Sequence, residues 1–392
     1  MSGPMLRLAL RSLAHHKVRT VVLALCIALV GVLPAAVDGL LDLYRARLEA
    51  RALSTPLVVG APGSRSDLLI HALYYRGVVE RSIEMKVAME AGESGLGVPI
   101  PIHLEGSVNQ YPLVGTTPDY QEFRGIRLAQ GHHWPQRLAE AALGAGVARS
   151  LDLTVGGTIA TDVHKLHDLA GSYPLLLKVT AVLPATGTPD DDAVFVSLHT
   201  SWVVTGEGHG HLKIDPEKDF HLVLESKSNH VTASAAVVEA VEVTPENEDS
   251  FHFHGDPDQL PITALIIDAK DDEGATILRS RFRRQKDLQT IDSMVELKEL
   301  LTVVMRAKAI LDANSMLVIV ATTLLLILIV TLDVKVRERE VKTLERIGAP
   351  RGFVARLLFT EISIVVLAGG ILSYLLAIAA IRFIAEGPLL LP

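Results

Sequence analysis

Three uncharged apolar runs organise this chain. They are Thr20–Val37 between Arg19 and Asp38, Ala313–Leu332 between Asp312 and Asp333, and Ile362–Ile381 between Glu361 and Arg382. A helix rising about 1.5 Å per residue crosses about 30 Å of hydrocarbon with runs of this length. A buried core helix keeps a polar face, whereas Leu317–Val330 is interrupted only by Thr322 and Thr323. The pattern predicts transmembrane helices over 20–37, 313–332 and 362–381. A rival reading of the first run takes Pro34-Ala35-Ala36 as a signal-peptide cleavage site. Against it stands the preceding segment, where Leu6, Leu8, Leu10 and Leu13 interleave with Arg7, Arg11, Lys17 and Arg19. That spacing predicts an amphipathic helix over 1–19.

The pattern changes between the first two runs. Leu40, Leu41, Tyr44 and Leu48 recur at three to four residues, as do Ile291, Met294, Leu297, Leu301 and Val304. Each stripe predicts a helical extension of its span, so residues 38–312 form a domain carried on two stalk helices. The stripes either cover each other or pack on the domain body. Inside lie short β-like runs at Pro56–Val59, Tyr111–Val114, Leu175–Leu183, Val194–Leu198, His221–Leu224 and Ile262–Ile267. Helical patterns are expected at Ser66–Tyr75, Gln136–Leu143 and Val231–Val241. Irregular mixing of the two predicts an α+β domain rather than a doubly wound sheet.

Charge sets the orientation. Residues 1–19 hold four Lys/Arg and no acid, and residues 333–360 hold seven basic against four acidic residues. Short basic loops face the cytoplasm, which places the N-terminus and 333–361 inside, and 38–312 and the tail 382–392 outside. The chain is net −8, so its acidic excess falls in the outer segment, which argues against nucleic-acid binding. A hydrophobic fraction of 49% with mean hydropathy +0.34 fits a mixed membrane and water-exposed architecture. Cys26 is the single cysteine, so the outer domain is held by its core rather than by disulfides within the chain.

The loop between the second and third spans reads Arg337-Glu338-Arg339-Glu340-Val341-Lys342-Thr343-Leu344-Glu345-Arg346-Ile347-Gly348-Ala349. A short charged helix closed by glycine and pinned between two spans is a handle for a cytoplasmic partner. Arg337, Arg339, Glu340 and Arg346 offer charged contacts, and Val341, Leu344 and Ile347 form one apolar face. The alternative is an ordinary basic membrane-flanking loop. Two outer stretches add to the pattern. One is Gly144 to Gly157, with Val147-Ala148, Leu151, Leu153, Val155 and Gly156. The other is Val179 to Leu198, with Thr186-Gly187-Thr188-Pro189-Asp190 and Val194-Phe195-Val196.

Together with the basic N-terminal helix and the order of the spans, these stretches resemble the MacB/FtsX-like permease family of ABC-type systems. The resemblance implies a bacterial inner-membrane, multi-pass permease subunit with a periplasmic core domain. It implies a cytoplasmic ABC ATPase as partner, ATP bound in that partner, and a homodimer or a heterodimer with a second permease. Coupling then falls to Arg337, Arg339, Glu340, Val341, Leu344, Arg346, Ile347 and Gly348. Motion of the loop would pass through the stalks to the outer domain without cargo crossing between the spans. The family adds a fourth span, expected where this chain ends at Gly387–Pro392.

No phosphate loop of the form G-x-x-x-x-G-K-[ST] occurs, and Gly60-Ala61-Pro62-Gly63-Ser64 reads as a turn. Neither H-E-x-x-H nor G-x-S-x-G is present. The chain is therefore expected to be no enzyme. Fifteen histidines are unevenly placed, with two tracts in the outer domain. Gly208-His209-Gly210-His211 leads on to Asp215, Glu217, Asp219 and His221, and Glu246 to Asp258 contains His252 and His254. Imidazole and carboxylate suit zinc, and His-x-His puts both rings on one side of an extended strand. His209, His211, His221, His252 and His254 are the candidate ligands. Solvated His-rich loops are the bland alternative. The expected cargo is a lipoprotein, peptide, lipid or metal-linked ligand. Rival functions are a signalling or scaffold subunit acting on a periplasmic partner, and a zinc-uptake component.

Overall fold

The computed structural model describes residues 3–163, 174–210, 223–227, 230–233, 240–244, 247–253, 255–336 and 352–386. The chain divides into two compact units, Met1–Ala46 with Leu301–Leu391, and Arg47–Leu300.

The first unit is helical. A short helix, Gly3–His15, precedes the long helix that starts at Lys17 and ends at Leu53. Two further long helices are Ser293–Val336 and Phe353–Glu386. Among the described residues, three segments are long and apolar enough to span a membrane, Lys17–Leu53, Ser293–Leu332 and Ala355–Ile384. Large side chains such as Leu29, Leu324 and Phe359 lie exposed along them, a surface made for lipid rather than water. Hydroxyls on this surface need internal partners. Thr323, Thr331, Thr360 and Ser363 each donate to the carbonyl four residues back. The first helix runs on through Pro34. Small residues bring it against the third. A Cβ on Gly369 would lie 2.8 Å from Ile27 Cβ, and one on Gly31 would lie 2.5 Å from Ser373 Oγ. Lys308 joins the first two long helices by pairing with Asp38 at 2.8 Å, and it also pairs with Asp312 of its own helix at 2.6 Å.

The second unit is built on one mixed sheet. From edge to edge its main strands are Val241–Glu242, Leu175–Val182, Glu140–Leu143, Val194–Ser197, Tyr111–Thr116, Gly97–His103, Ala264–Ala269, Leu57–Gly60 and Gln289–Asp292. Parallel pairs join Tyr111–Thr116 to Val194–Ser197, Glu140–Leu143 to Leu175–Val182, and Leu175–Val182 to Val241–Glu242, while the remaining pairs on this path are antiparallel. Helices pack with it, among them Arg65–Tyr74, Leu198–Thr205 and Asp272–Arg283. One core gathers Leu113, Leu143, Leu177, Val179 and Val196, and another Leu57, Val59, Leu265, Ile267, Leu278 and Phe282. A membrane protein with a large extracytoplasmic α+β domain is the result.

Several local expectations change. Gln136–Leu143 was expected to be helical. Its second half, Glu140–Leu143, is instead a strand between two others, entered through Ala139 at φ 62°. Within Val231–Val241, residues 231–233 lie in the strand His230–Ala233, Ala240 lies outside any element, and Val241 starts the strand Val241–Glu242; residues 234–239 lie outside the described residues. Ile291 belongs to a strand rather than to the second long helix. That helix starts at Ser293, with the Asp292 carboxylate accepting from the amides of Met294 and Val295. Ile262–Ile267 divides at Thr263 into Pro261–Ile262 and Ala264–Ala269.

The strand Gly97–His103 carries Pro99 and Pro101, residues that argue against a central strand. Prolines two apart lose their donors on the same edge. Ile102 O accepts from Thr263 N, so the other edge is the proline edge, and there Thr116 Oγ1 donates to Pro101 O. On that side Tyr111–Thr116 pairs only with Ile102 and His103. Backbone donors are missing where few were needed.

Candidate functional site

The last turns of the first long helix enter the extracytoplasmic domain at Arg51, which is 7% exposed. Its guanidinium grips Asp190 with two bonds, Nη1 to Oδ2 at 2.9 Å and Nη2 to Oδ1 at 2.7 Å. Nη2 also donates to the hydroxyls of Tyr75 at 3.1 Å and Tyr120 at 2.9 Å, and Nε donates to Leu73 O at 3.2 Å. The two tyrosine hydroxyls lie 2.7 and 2.8 Å from Asp190 Oδ1 and also in contact with each other; each carries one proton, and when both donate it to the carboxylate neither donates to its neighbour. Phe195 walls the network, with Tyr120 stacked on it at 5.4 Å and Trp134 at 5.2 Å.

A buried charge survives only when it is paired and hydrogen-bonded. Burial pushes the Asp190 carboxyl up, but the Arg51 charge, its hydrogen bonds, Arg124 and the Tyr75 bond outweigh it and hold the carboxyl down at about 2. Burial works against the Arg51 charge too, yet Tyr120, Asp190 and Tyr75 raise its pKa well above the ordinary value. Burial foremost, together with the Asp190 charge, raises both Tyr75 and Tyr120, so they stay protonated donors. The network is a joint in the structural sense: it ties the end of the first long helix to Asp190, Tyr75 and Tyr120 of the domain.

The second long helix docks through Glu296, which is 4% exposed in its first turn. Ser66 Oγ donates to Glu296 Oε1 at 2.7 Å, and Arg65 Nε lies 3.1 Å from Oε2. Both docking points use one ten-residue helix, Arg65–Tyr74. Glu296 sits at its N-terminal end. At its C-terminal end, Leu73 O receives Arg51 and the Tyr74 hydroxyl reaches Leu48 O at 3.4 Å. Acid at the positive end of a helix dipole and base at the negative end are both favourable. Ser64 caps the start by accepting from Asp67 N, and Tyr75 closes the end in the left-handed conformation at φ 56°. At about 1.5 Å per residue, the ends of this strut stand about 15 Å apart.

The two outer stretches singled out in the sequence meet behind this joint. Gly144 N donates to Ala193 O at 2.9 Å, and a Cβ on Gly144 would fall 2.3 Å from the carbonyl oxygens of Asp190 and Asp191. Asp191 closes the Thr186–Asp190 turn by accepting from Thr186 N and Gly187 N, at 2.9 and 2.7 Å. Val179 N donates to Gly157 O, and Gly156 N donates to Val179 O. The turn thus presents Asp190 inward to Arg51.

Of the predicted sites, Arg337 to Ala349 lies outside the described residues, as do His211, His221 and His254. His209 and His252 are described, and the structure brings them together with ring centroids 4.7 Å apart. Among the described residues no group of three or more His, Cys, Asp or Glu is placed to hold a metal. Arg51, Asp190 and Glu296 were not singled out for this role. An arginine near the end of an amphipathic stripe reads as a solvated residue, and nothing local announces its partner 139 positions away.

The sequence comparisons agree with this architecture. A model described as MacB-like periplasmic core domain matches residues 20–242, and one described as FtsX-like permease C-terminal matches residues 314–391. The first covers more than half of the chain. The chain belongs to the MacB/FtsX-like permease family, the membrane subunits of ABC-type transport systems that work with a cytoplasmic ABC ATPase. No curated protein matches the chain. Among solved structures, the periplasmic region of MacB from Actinobacillus actinomycetemcomitans is similar at 11% identity and TM-score 0.38, covering 63% of this chain and 92% of that one. The extracellular domain of the noncanonic ABC-type transporter YknZ from Gram-positive bacteria is similar at 9% identity and TM-score 0.31, covering 60% and 98%. A domain of a permease protein from Porphyromonas gingivalis follows at 10% identity and TM-score 0.28, covering 60% and 86%. The family assignment rests on the two sequence models.

Proposed function

We propose that this chain is an inner-membrane permease subunit, with its N-terminus in the cytoplasm, that converts ATP hydrolysis by a separate cytoplasmic ATPase into motion of its outer domain. The observation that carries this reading is the strut Arg65–Tyr74. Two long helices that each carry an apolar span dock on it through buried charged residues, Arg51 at one end and Glu296 at the other. A lever needs rigid rods fixed at the load; the first is held by the buried Arg51–Asp190 pair and the second by the buried Glu296 carboxylate, which takes a hydrogen bond from Ser66 and faces a largely exposed Arg65. In this reading residues 337–349 receive the push. Arg337, Arg339, Glu340 and Arg346 contact the ATPase, with Val341, Leu344 and Ile347 in its groove and Gly348 closing the segment. Two permease subunits, alike or different, meet two ATPase subunits. The cargo is a lipoprotein, peptide, lipid or metal-linked ligand engaged at the outer face.

The test is Leu344→Asp in the full chain, expressed with a tag in its native membrane. An aspartate on the apolar face of the loop abolishes co-purification of the cytoplasmic ATPase while membrane insertion stays intact. Unchanged co-purification sinks the coupling role of this loop.

A further inference from the structure

A two-stranded ribbon stands apart from the main sheet. Its strands, Gly208–Gly210 and Phe251–Phe253, pair antiparallel with the register Gly208↔Phe253, His209↔His252 and Gly210↔Phe251. Side chains alternate between the faces of a strand. Phe251 and Phe253 therefore share one face, and both pack against the domain cores, with Phe253 also 5.3 Å from the His199 ring and 6.0 Å from Trp202. A Cβ on Gly208 would fall 2.6 Å from the Phe253 ring, so the inward space opposite this phenylalanine is already filled. Gly-His-Gly against Phe-His-Phe thus fixes the register by small-to-large fit. The only side chains left for the other face are His209 and His252, and a one-residue slip would separate them.

That face carries chemistry. The two rings lie edge to face at 4.7 Å, His252 is exposed, and His209 is half-buried. His252 Nδ1 lies 3.2 Å from Ser250 O. With the proton on Nδ1 this contact is a hydrogen bond, and Nε2 becomes the lone-pair nitrogen. A backbone carbonyl holding the far nitrogen is the usual way a metal-binding imidazole is oriented.

We propose that His209 and His252 form a zinc site on the outer domain, with both imidazoles as ligands and the remaining positions open to water or an incoming ligand. Two directly opposed imidazoles suit a borderline divalent ion, and a site with open positions exchanges its metal rather than burying it. This goes beyond the permease reading and does not depend on it. It adds a second task to the extracytoplasmic face, accepting or presenting zinc.

The experiment titrates Zn²⁺ alone into the full chain in detergent, beside His209→Ala, His252→Ala and the double variant. Isothermal calorimetry gives the affinity, and Co²⁺ substitution followed by visible absorption gives the ligand field. We expect micromolar or tighter binding in the parent, a loss of at least about tenfold in each single variant, and no titratable heat in the double variant. Asn at both positions is the folding control, and its melting curve should match the parent. No binding by the parent overturns the site. So does a double variant that binds as the parent does, which would assign the metal to other histidines.

Discussion

Replacing Arg51 with methionine removes a buried cation and leaves Asp190 in a dry pocket with only two tyrosine hydroxyls as side-chain donors. Replacing Asp190 with leucine strands the guanidinium instead. Breaking one side of a buried, hydrogen-bonded pair costs about 3–5 kcal/mol, because an uncompensated charge stays behind. For a unit the size of Arg47–Leu300, each kcal/mol moves the melting temperature by about 2–4 °C, so each single variant should fall by about 6–20 °C. The double variant removes both charges, and the loss should be smaller than the sum by at least about 2 kcal/mol. Tryptophan fluorescence reports this domain specifically. The chain has two tryptophans, Trp134 and Trp202, both in this unit and both buried, and Trp134 packs on Phe195 beside the joint. A thermal melt of full chain in detergent, followed by that signal, gives the cycle. Single variants within about 2 °C of the parent, or a strictly additive double variant, would refute the claim that the pair acts as one buried unit.

The same carboxylate gives a pH signature. Its pKa is depressed to about 2 in the folded state, so its stabilisation is complete above the ordinary carboxylate range and is lost as pH falls through about 2. Acid melts should show the parent losing stability faster than Asp190→Asn over that window, and parallel curves would contradict the assignment. Gly144→Ala places a methyl group against two backbone carbonyls that cannot swing away. A loss of about 1–3 kcal/mol or more is expected from the same fluorescence melt, and a neutral result would mean that the turn at Asp190 yields easily.

Much of the fold was open to reading because the membrane demands length. Thr20–Val37, Ala313–Leu332 and Ile362–Ile381 carry their own signal, and no distant partner is needed to recognise them. The continuity of the stalks was equally local, since Leu40, Leu41, Tyr44 and Leu48 keep the helical period. Strands were harder to read where local preference opposed tertiary pairing. Glu140-Ala141-Ala142-Leu143 looks helical by propensity, yet it is a strand because neighbours on both sides complete its ladder. Pro99 and Pro101 hid Gly97–His103. The helix Asp272–Arg283 was missed although its signals were present. Asp271 caps it by accepting from Gly274 N, acids open its first turn, arginines close its last, and Leu278 and Phe282 are buried at a spacing of four. The joint itself was illegible. Arg51 and Asp190 are ordinary residues until the fold removes water from between them. The His209–His252 pairing was half legible, because composition marked both tracts but could not set their register.

Asp190, Asp191 and Asp192 look interchangeable as letters, a redundant acidic run. In space they have three separate duties. The first answers Arg51, the second ties the turn to Thr186 and Gly187, and the third lies where a side chain on Gly146 would have to go. Deleting any one of them keeps two aspartates and barely alters composition or net charge, yet it reassigns the other two at once. The run behaves as a reading frame, in which position rather than supply carries the information.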